Sequence, residues 1–206
     1  NKKISRFKIM EKKENSERCT NMKILDRWNK KNLTSQNLIE VKNLKKTFQE
    51  GMFTESSKNT VMAVDDVSFN IREGESFGLV GESGSGKSTI AKMIVNLFKP
   101  SSGEIFFDKV CITKIKKNSE MMNFRKQIQM IFQDPYSSLN GRLKVEDIIA
   151  EPIKLHNPTI TNNDLENYIN DLLESVELSK KSSTRYSHEF SGGQRQRISI
   201  ARALAT

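Results

Sequence analysis

Eight consecutive residues constrain this chain more than any others: Gly81-Glu82-Ser83-Gly84-Ser85-Gly86-Lys87-Ser88. They satisfy G-x-x-x-x-G-K-[ST]. They also lie where that pattern works, between the apolar run Ser76 to Val80 and a helix-like stretch from Lys87. Glycine lets successive backbone N–H groups turn inward where a Cβ would obstruct them. Those donors and the positive end of the following helix form an anion site suited to a triphosphate. Lys87 adds a point charge toward the β- and γ-phosphates. The Ser88 hydroxyl is placed to ligate Mg²⁺, and Thr89 reaches the α-phosphate side. A chance match in a chain of this length occurs about once in a hundred, so a linker with an incidental lysine is set aside.

Around this loop the texture is α/β. Leu38 to Val41 reads as a strand, and Gly51 to Thr60 as a polar loop. Val61 to Ile71 reads as a second strand, with Val64, Val67, Phe69 and Ile71 as apolar points. Ser76 to Val80 suits a buried strand. The helix from Lys87 carries Ile90, Ala91, Ile94, Val95 and Phe98 on one face, and Pro100-Ser101-Ser102-Gly103 is predicted to stop it. Glu104–Phe107 and Gln129–Phe132 are further strand candidates. Beyond Phe132 the spacing turns helical. Leu165, Tyr168, Ile169, Leu172, Leu173 and Val176 share one face, with Thr161 as N-cap.

Charge separates a leader from the rest. Of 34 Lys/Arg and 25 Asp/Glu, the first 36 residues hold 11 and 4, which leaves the remainder at only +2. A nearly neutral folded part argues against a nucleic-acid face. The leader reads as a solvated tail or as a weak contact for anionic lipid headgroups, with Met22, Leu25 and Trp28 as its apolar edge. No apolar run reaches the ~18 residues of a membrane-spanning helix, and no secretory signal is legible. Cys19 and Cys111 are far apart without metal-ligand spacing, and are expected to be reduced thiols of a cytoplasmic protein. The organisation expected is a basic, flexible extension over 1–36, a nucleotide-binding core over 37–132, and a helical part over 133–206.

The phosphate-binding loop alone leaves kinases, GTPases, helicases and transport ATPases open. Two more segments narrow the choice. Ser191-Gly192-Gly193-Gln194-Arg195-Gln196-Arg197 resembles the signature motif of ABC ATPases, and Ile131-Phe132-Gln133-Asp134-Pro135 resembles their Q-loop. The three motifs stand in that family's order. Without the family, Ser-Gly-Gly is a helix start and Gln133 an ordinary surface residue. The helix start is nonetheless a second anion site, since it runs on through Ile198, Ala201 and Leu204.

The resemblance implies a P-loop ABC ATPase fold with an antiparallel β subdomain and a helical subdomain. It implies ATP and Mg²⁺ as cofactors, held by Gly81, Gly84, Ser85, Gly86, Lys87, Ser88 and Thr89. It implies catalytic shares for Lys87 and Gln133, with Ser88 and Gln133 at the metal. Phe48 takes the place of the aromatic that stacks on adenine; the alternative is that it packs against the first sheet. Ser191, Gly192, Gly193 and Gln194 would contact the nucleotide of a second ABC ATPase subunit in a head-to-tail dimer, Ser191 and Gly193 at its γ-phosphate.

Gln133-Asp134-Pro135-Tyr136-Ser137-Ser138-Leu139-Asn140 and Ile148-Ile149-Ala150-Glu151-Pro152 resemble the ATPases of oligopeptide, dipeptide and nickel importers. Such a subunit sits on the cytoplasmic face of the membrane against permease subunits, and indirectly serves an external solute-binding protein. A nucleotide-binding module without hydrolysis and a soluble ABC ATPase outside transport are the alternatives. Phe190 stands for a commoner leucine. Gly141 stands for a frequent proline and is expected to loosen the loop after Gln133. His156 and His188 read as structural or surface residues. The family's magnesium-associated aspartate, water-polarising glutamate and switch histidine follow the signature and are not among these residues. The C-terminal part of the core is therefore expected to be missing, the sequence to be a fragment, and the chain alone not to turn over ATP.

Overall fold

The computed structural model describes residues 8–10, 36–49 and 60–206. The rest of the basic leader, with Cys19, Met22, Leu25 and Trp28, and the polar stretch 51–59 lie outside the described residues. The chain divides into two compact units, Asn1–Glu120 and Met121–Thr206.

In the first unit, β2 (Asn37–Gln49) pairs antiparallel with β3 (Thr60–Arg72) and with β5 (Ser102–Phe107), and β6 (Val110–Cys111) closes the sheet in the order β3-β2-β5-β6. One face of this sheet supplies the core: Val41, Leu44, Val64, Val67, Phe69 and Ile105 are buried, with Ile90 and Met93 of α1 (Lys87–Ile94). Fully burying one such side chain contributes about 1.5–3 kcal/mol. The expected strands at 38–41, 61–71 and 104–107 are all present, and β2 runs eight residues further than the apolar run that signalled it.

Two expectations in this unit need correction. The run Ser76 to Val80 yields only β4 (Gly78–Val80), and it is not buried, since Val80 is 51% exposed. Its partner is β1 (Lys8–Met10), antiparallel, and every ladder among the described residues is antiparallel. An apolar run becomes buried only with strands at both sides and layers over both faces. A single three-residue neighbour supplies neither. Helix α1 also stops earlier than Pro100. Asn96, at φ 55°, takes the left-handed position. Its N–H donates to the Met93 carbonyl at 3.0 Å and that of Leu97 to the Lys92 carbonyl at 2.8 Å. These paired bonds close a helix C-terminus, and asparagine tolerates the conformation they need.

The second unit is helical. The unit boundary falls within α2 (Asn118–Gln127), which is followed by α3 (Pro135–Ser138), α4 (Val145–His156), α5 (Asn162–Ser175) and α6 (Gly192–Leu204). Val145, Ile149, Leu173 and Ile198 are fully buried between α4, α5 and α6, with Phe190 beside them. Thr161 caps α5 as expected, its hydroxyl accepting from the Asp164 N–H at 3.2 Å. Tyr168, assigned to the apolar face, is 39% exposed. Gln129–Phe132 is not a strand. No strand among the described residues lies beside it, and the Gln129 amide instead donates to the Arg125 carbonyl of α2 at 2.8 Å. Among the described residues no helix is long and apolar enough to cross a membrane.

Candidate nucleotide site

The loop Gly81–Gly86 joins β4 to α1. Gly84 and Gly86 have φ of +80° and +94°, both left-handed. At Gly86 an added Cβ would lie 2.2 Å from the Ala63 carbonyl oxygen of β3, so only glycine lets the loop approach the sheet. At Gly84 nothing stands within 4 Å of that position, and the loop is open on that side. Gly86 caps α1 without a side-chain bond, and the first helical bond is from the Ile90 N–H to its carbonyl at 2.9 Å. The amides of the first turn are therefore not used within the helix.

Lys87 folds back over the loop. Its ammonium donates to the carbonyls of Gly81 at 2.8 Å and Glu82 at 2.6 Å, and to the Ser85 hydroxyl at 3.2 Å. Ser85 is buried, Thr89 half-buried and Ser88 exposed. Phe48 pairs across the sheet with Val61, two residues from Ala63. Its ring is 37% exposed, meets Phe98 edge-on at 5.8 Å, and carries the Lys46 ammonium 5.1 Å from its centroid. Away from the loop, a hydrogen bond with Glu104 holds exposed Lys114 above its ordinary pKa, and one with Lys42 holds half-buried Glu40 below.

The donor set suits a magnesium triphosphate. The first-turn amides and one ammonium face the same loop, and an exposed hydroxyl stands at the helix start. Among the described residues no cluster of three His, Cys, Asp or Glu could hold a metal by itself. Mg²⁺ does not require one, since it keeps several waters and takes further oxygens from substrate phosphates.

In the second unit, Gln133 is exposed and immediately precedes Asp134, the N-cap of α3, whose carboxylate accepts from the Tyr136 N–H at 2.9 Å. Ser191 and Gln194 form a reciprocal cap on α6. The Gln194 N–H donates to the Ser191 hydroxyl at 3.4 Å, and the Ser191 N–H to the Gln194 side-chain oxygen at 3.1 Å. Gly193 is exposed and a Cβ there would meet nothing within 4 Å, whereas Gly192 is flanked by Tyr136. Phe48 and the phosphate loop thus lie in the first unit, Gln133 and the α6 start in the second.

The loop after Gln133 is tied to the chain that leads into Ser191. The His188 ring nitrogen meets the Gly141 carbonyl at 2.8 Å, and the Ser187 hydroxyl donates to the Asn140 carbonyl at 3.0 Å. His188 itself is exposed. Sequence reasoning passed over Tyr136 and Arg195 as partners. The available signal was a cation in the first turn of α6, where the helix dipole disfavours it.

The family model described as ABC transporter matches residues 64–206. The oligopeptide transport ATP-binding protein OppF of Streptococcus mutans is 55% identical over 168 residues, covering 82% of this chain and 53% of that protein. The dipeptide transport ATP-binding protein DppF of Lactococcus lactis is 47% identical over 170 residues, covering 82% and 53%. The chain thus spans about half the length of these curated relatives. A dimeric ATP-binding cassette solved in a post-hydrolysis state with ADP and Pi superposes with a TM-score of 0.68 at 28% identity, over 81% of this chain and 69% of that one. A match that begins in the third strand and runs through α6, with the phosphate loop and the Ser191 cap both inside it, shows that the chain belongs to the ABC transporter family.

Proposed function

We propose that the protein carrying this chain is the ATP-binding and ATP-hydrolysing subunit of an importer of oligopeptides or dipeptides. The observation that carries the nucleotide reading is the Lys87 ammonium, held over a left-handed glycine loop by two of that loop's carbonyls. The solute class rests on relatives named for oligopeptide and dipeptide transport, at 55% and 47% identity. ATP, when bound, supplies the phosphoanhydride whose hydrolysis drives the transport cycle.

This chain's residues bind and orient. The amides at the start of α1, with Gly81, Gly84, Ser85 and Gly86, cradle the phosphates, and Lys87 gives them its charge. Ser88 offers its hydroxyl to Mg²⁺, and Thr89 lies one residue further along the helix. Phe48 offers a partly exposed ring to the adenine base. Gln133 suits a bridge to the metal because its amide both donates and accepts. Ser191, Gly192, Gly193 and Gln194 present a helix N-terminus to the nucleotide of a second ATPase subunit. The dimeric state of the solved relative supports that pairing. Permease subunits complete the assembly at the cytoplasmic face of the membrane and receive peptide from an external binding protein. No nucleic acid is involved.

The test uses the full-length protein with its permease. Lys87→Ala should weaken Mg-ATP binding at least about tenfold by calorimetry, because charge-assisted hydrogen bonds contribute roughly 1.5–3 kcal/mol each. It should also abolish uptake of labelled peptide. Unchanged affinity in a folded variant sinks the nucleotide assignment. ATP-dependent turnover with no uptake of any peptide sinks the importer assignment.

A further inference from the structure

Arg195 holds three pieces of the second unit at once. From the first turn of α6 its guanidinium donates to the Phe190 carbonyl at 3.0 Å and the His188 carbonyl at 2.7 Å. Both carbonyls belong to the chain leading into Ser191. The flat of the same group lies 4.3 Å from the centre of the Tyr136 ring. Tyr136 in turn has its backbone N–H held by Asp134, the residue after Gln133, and its hydroxyl and ring edge stand 3.5 and 3.6 Å from where a Cβ on Gly192 would be. Further along, the Arg202 guanidinium donates to the Ser138 carbonyl at 3.0 Å, and the Ser138 and Ser199 hydroxyls meet at 3.4 Å. The short helix after Gln133 is therefore docked along α6 at both of its ends.

We infer that Arg195 and Tyr136 form a clamp that positions the N-terminus of α6 from the segment following Gln133, so that a displacement of residues 134–138 moves Ser191 to Gly193. This rests on the ATPase reading above and deepens it. Neither side chain is a catalytic residue; both are positioning residues. The placement of Arg195 supports a specific role. A cation at a helix start opposes the dipole, and is retained here with two carbonyl partners and an aromatic face. Lysine keeps the charge but lacks the planar fork that serves two acceptors and a ring together.

The experiment compares Arg195→Lys, Tyr136→Ala and Tyr136→Phe in the full-length protein. Each of the first two should lower kcat for Mg-ATP about tenfold while KM changes less than about twofold, since the protein's own phosphate loop is untouched. Tyr136→Phe keeps the ring and should restore kcat. The double variant Arg195→Lys with Tyr136→Ala should be no worse than either single change. Amide hydrogen exchange at residues 191–194 should rise in Tyr136→Ala and not in Tyr136→Phe. Independent, additive losses overturn the clamp, as does a fall in kcat that merely tracks a fall in folded fraction. So does unchanged exchange at 191–194 in Tyr136→Ala. Absence of turnover in the unsubstituted protein refutes the ATPase reading instead, and the exchange measurement then decides the clamp by itself.

Discussion

A Cβ at residue 86 would press on the Ala63 carbonyl, and the backbone there is left-handed as well. Gly86→Ala therefore meets two penalties. A left-handed non-glycine residue costs about 1–2 kcal/mol, and the 2.2 Å approach has to be relieved by moving the loop away from β3. The variant should melt several degrees lower, roughly as expected for 1–3 kcal/mol, and lose most Mg-ATP affinity. Scanning calorimetry with and without nucleotide checks both. Lys87 acts differently. Its three N–H donors are all taken by loop partners, so meeting a phosphate exchanges at least one of these bonds for a charge-assisted one.

Among the elements, α6 separates capping from packing. The Ser191 cap bond is long at 3.4 Å, so Ser191→Ala should cost near the lower end of about 0.5–2 kcal/mol. Leu173 of α5 is fully buried against the core that α6 completes, and Leu173→Ala should cost about 2–5 kcal/mol. Urea unfolding of the full-length protein should therefore show the larger midpoint shift for the leucine. The same contrast explains what was readable in advance. Thr161, Ser191 and the α5 stripe announce themselves because caps and helical periods are local. So does the phosphate loop, whose glycines answer to backbone shape. Helix α2 announces nothing, since Phe124 is its one buried residue. Ile131 and Phe132 misled because a strand exists only with a partner strand, and partners are not written in four residues. The Tyr136–Arg195 contact joins residues 59 apart and was invisible for the same reason.

For the whole molecule, β4 is the weak place. Val80 is half exposed, and a three-residue strand is its only ladder partner among the described residues. A purified polypeptide of residues 1–206 should therefore self-associate, visible as a concentration-dependent sedimentation coefficient. The four-stranded sheet has a consequence of another kind, concerning the order of synthesis. All its strands fall within residues 37–111, and each ladder is antiparallel. A ribosome thus delivers the whole sheet before any residue of α3 to α6. The phosphate loop is an excursion that leaves the sheet at Arg72 and re-enters it at Ser102. During translation its two ends are tied to one platform well before the helix that begins at Gly192 exists, and the nascent chain can shape its anion cradle first.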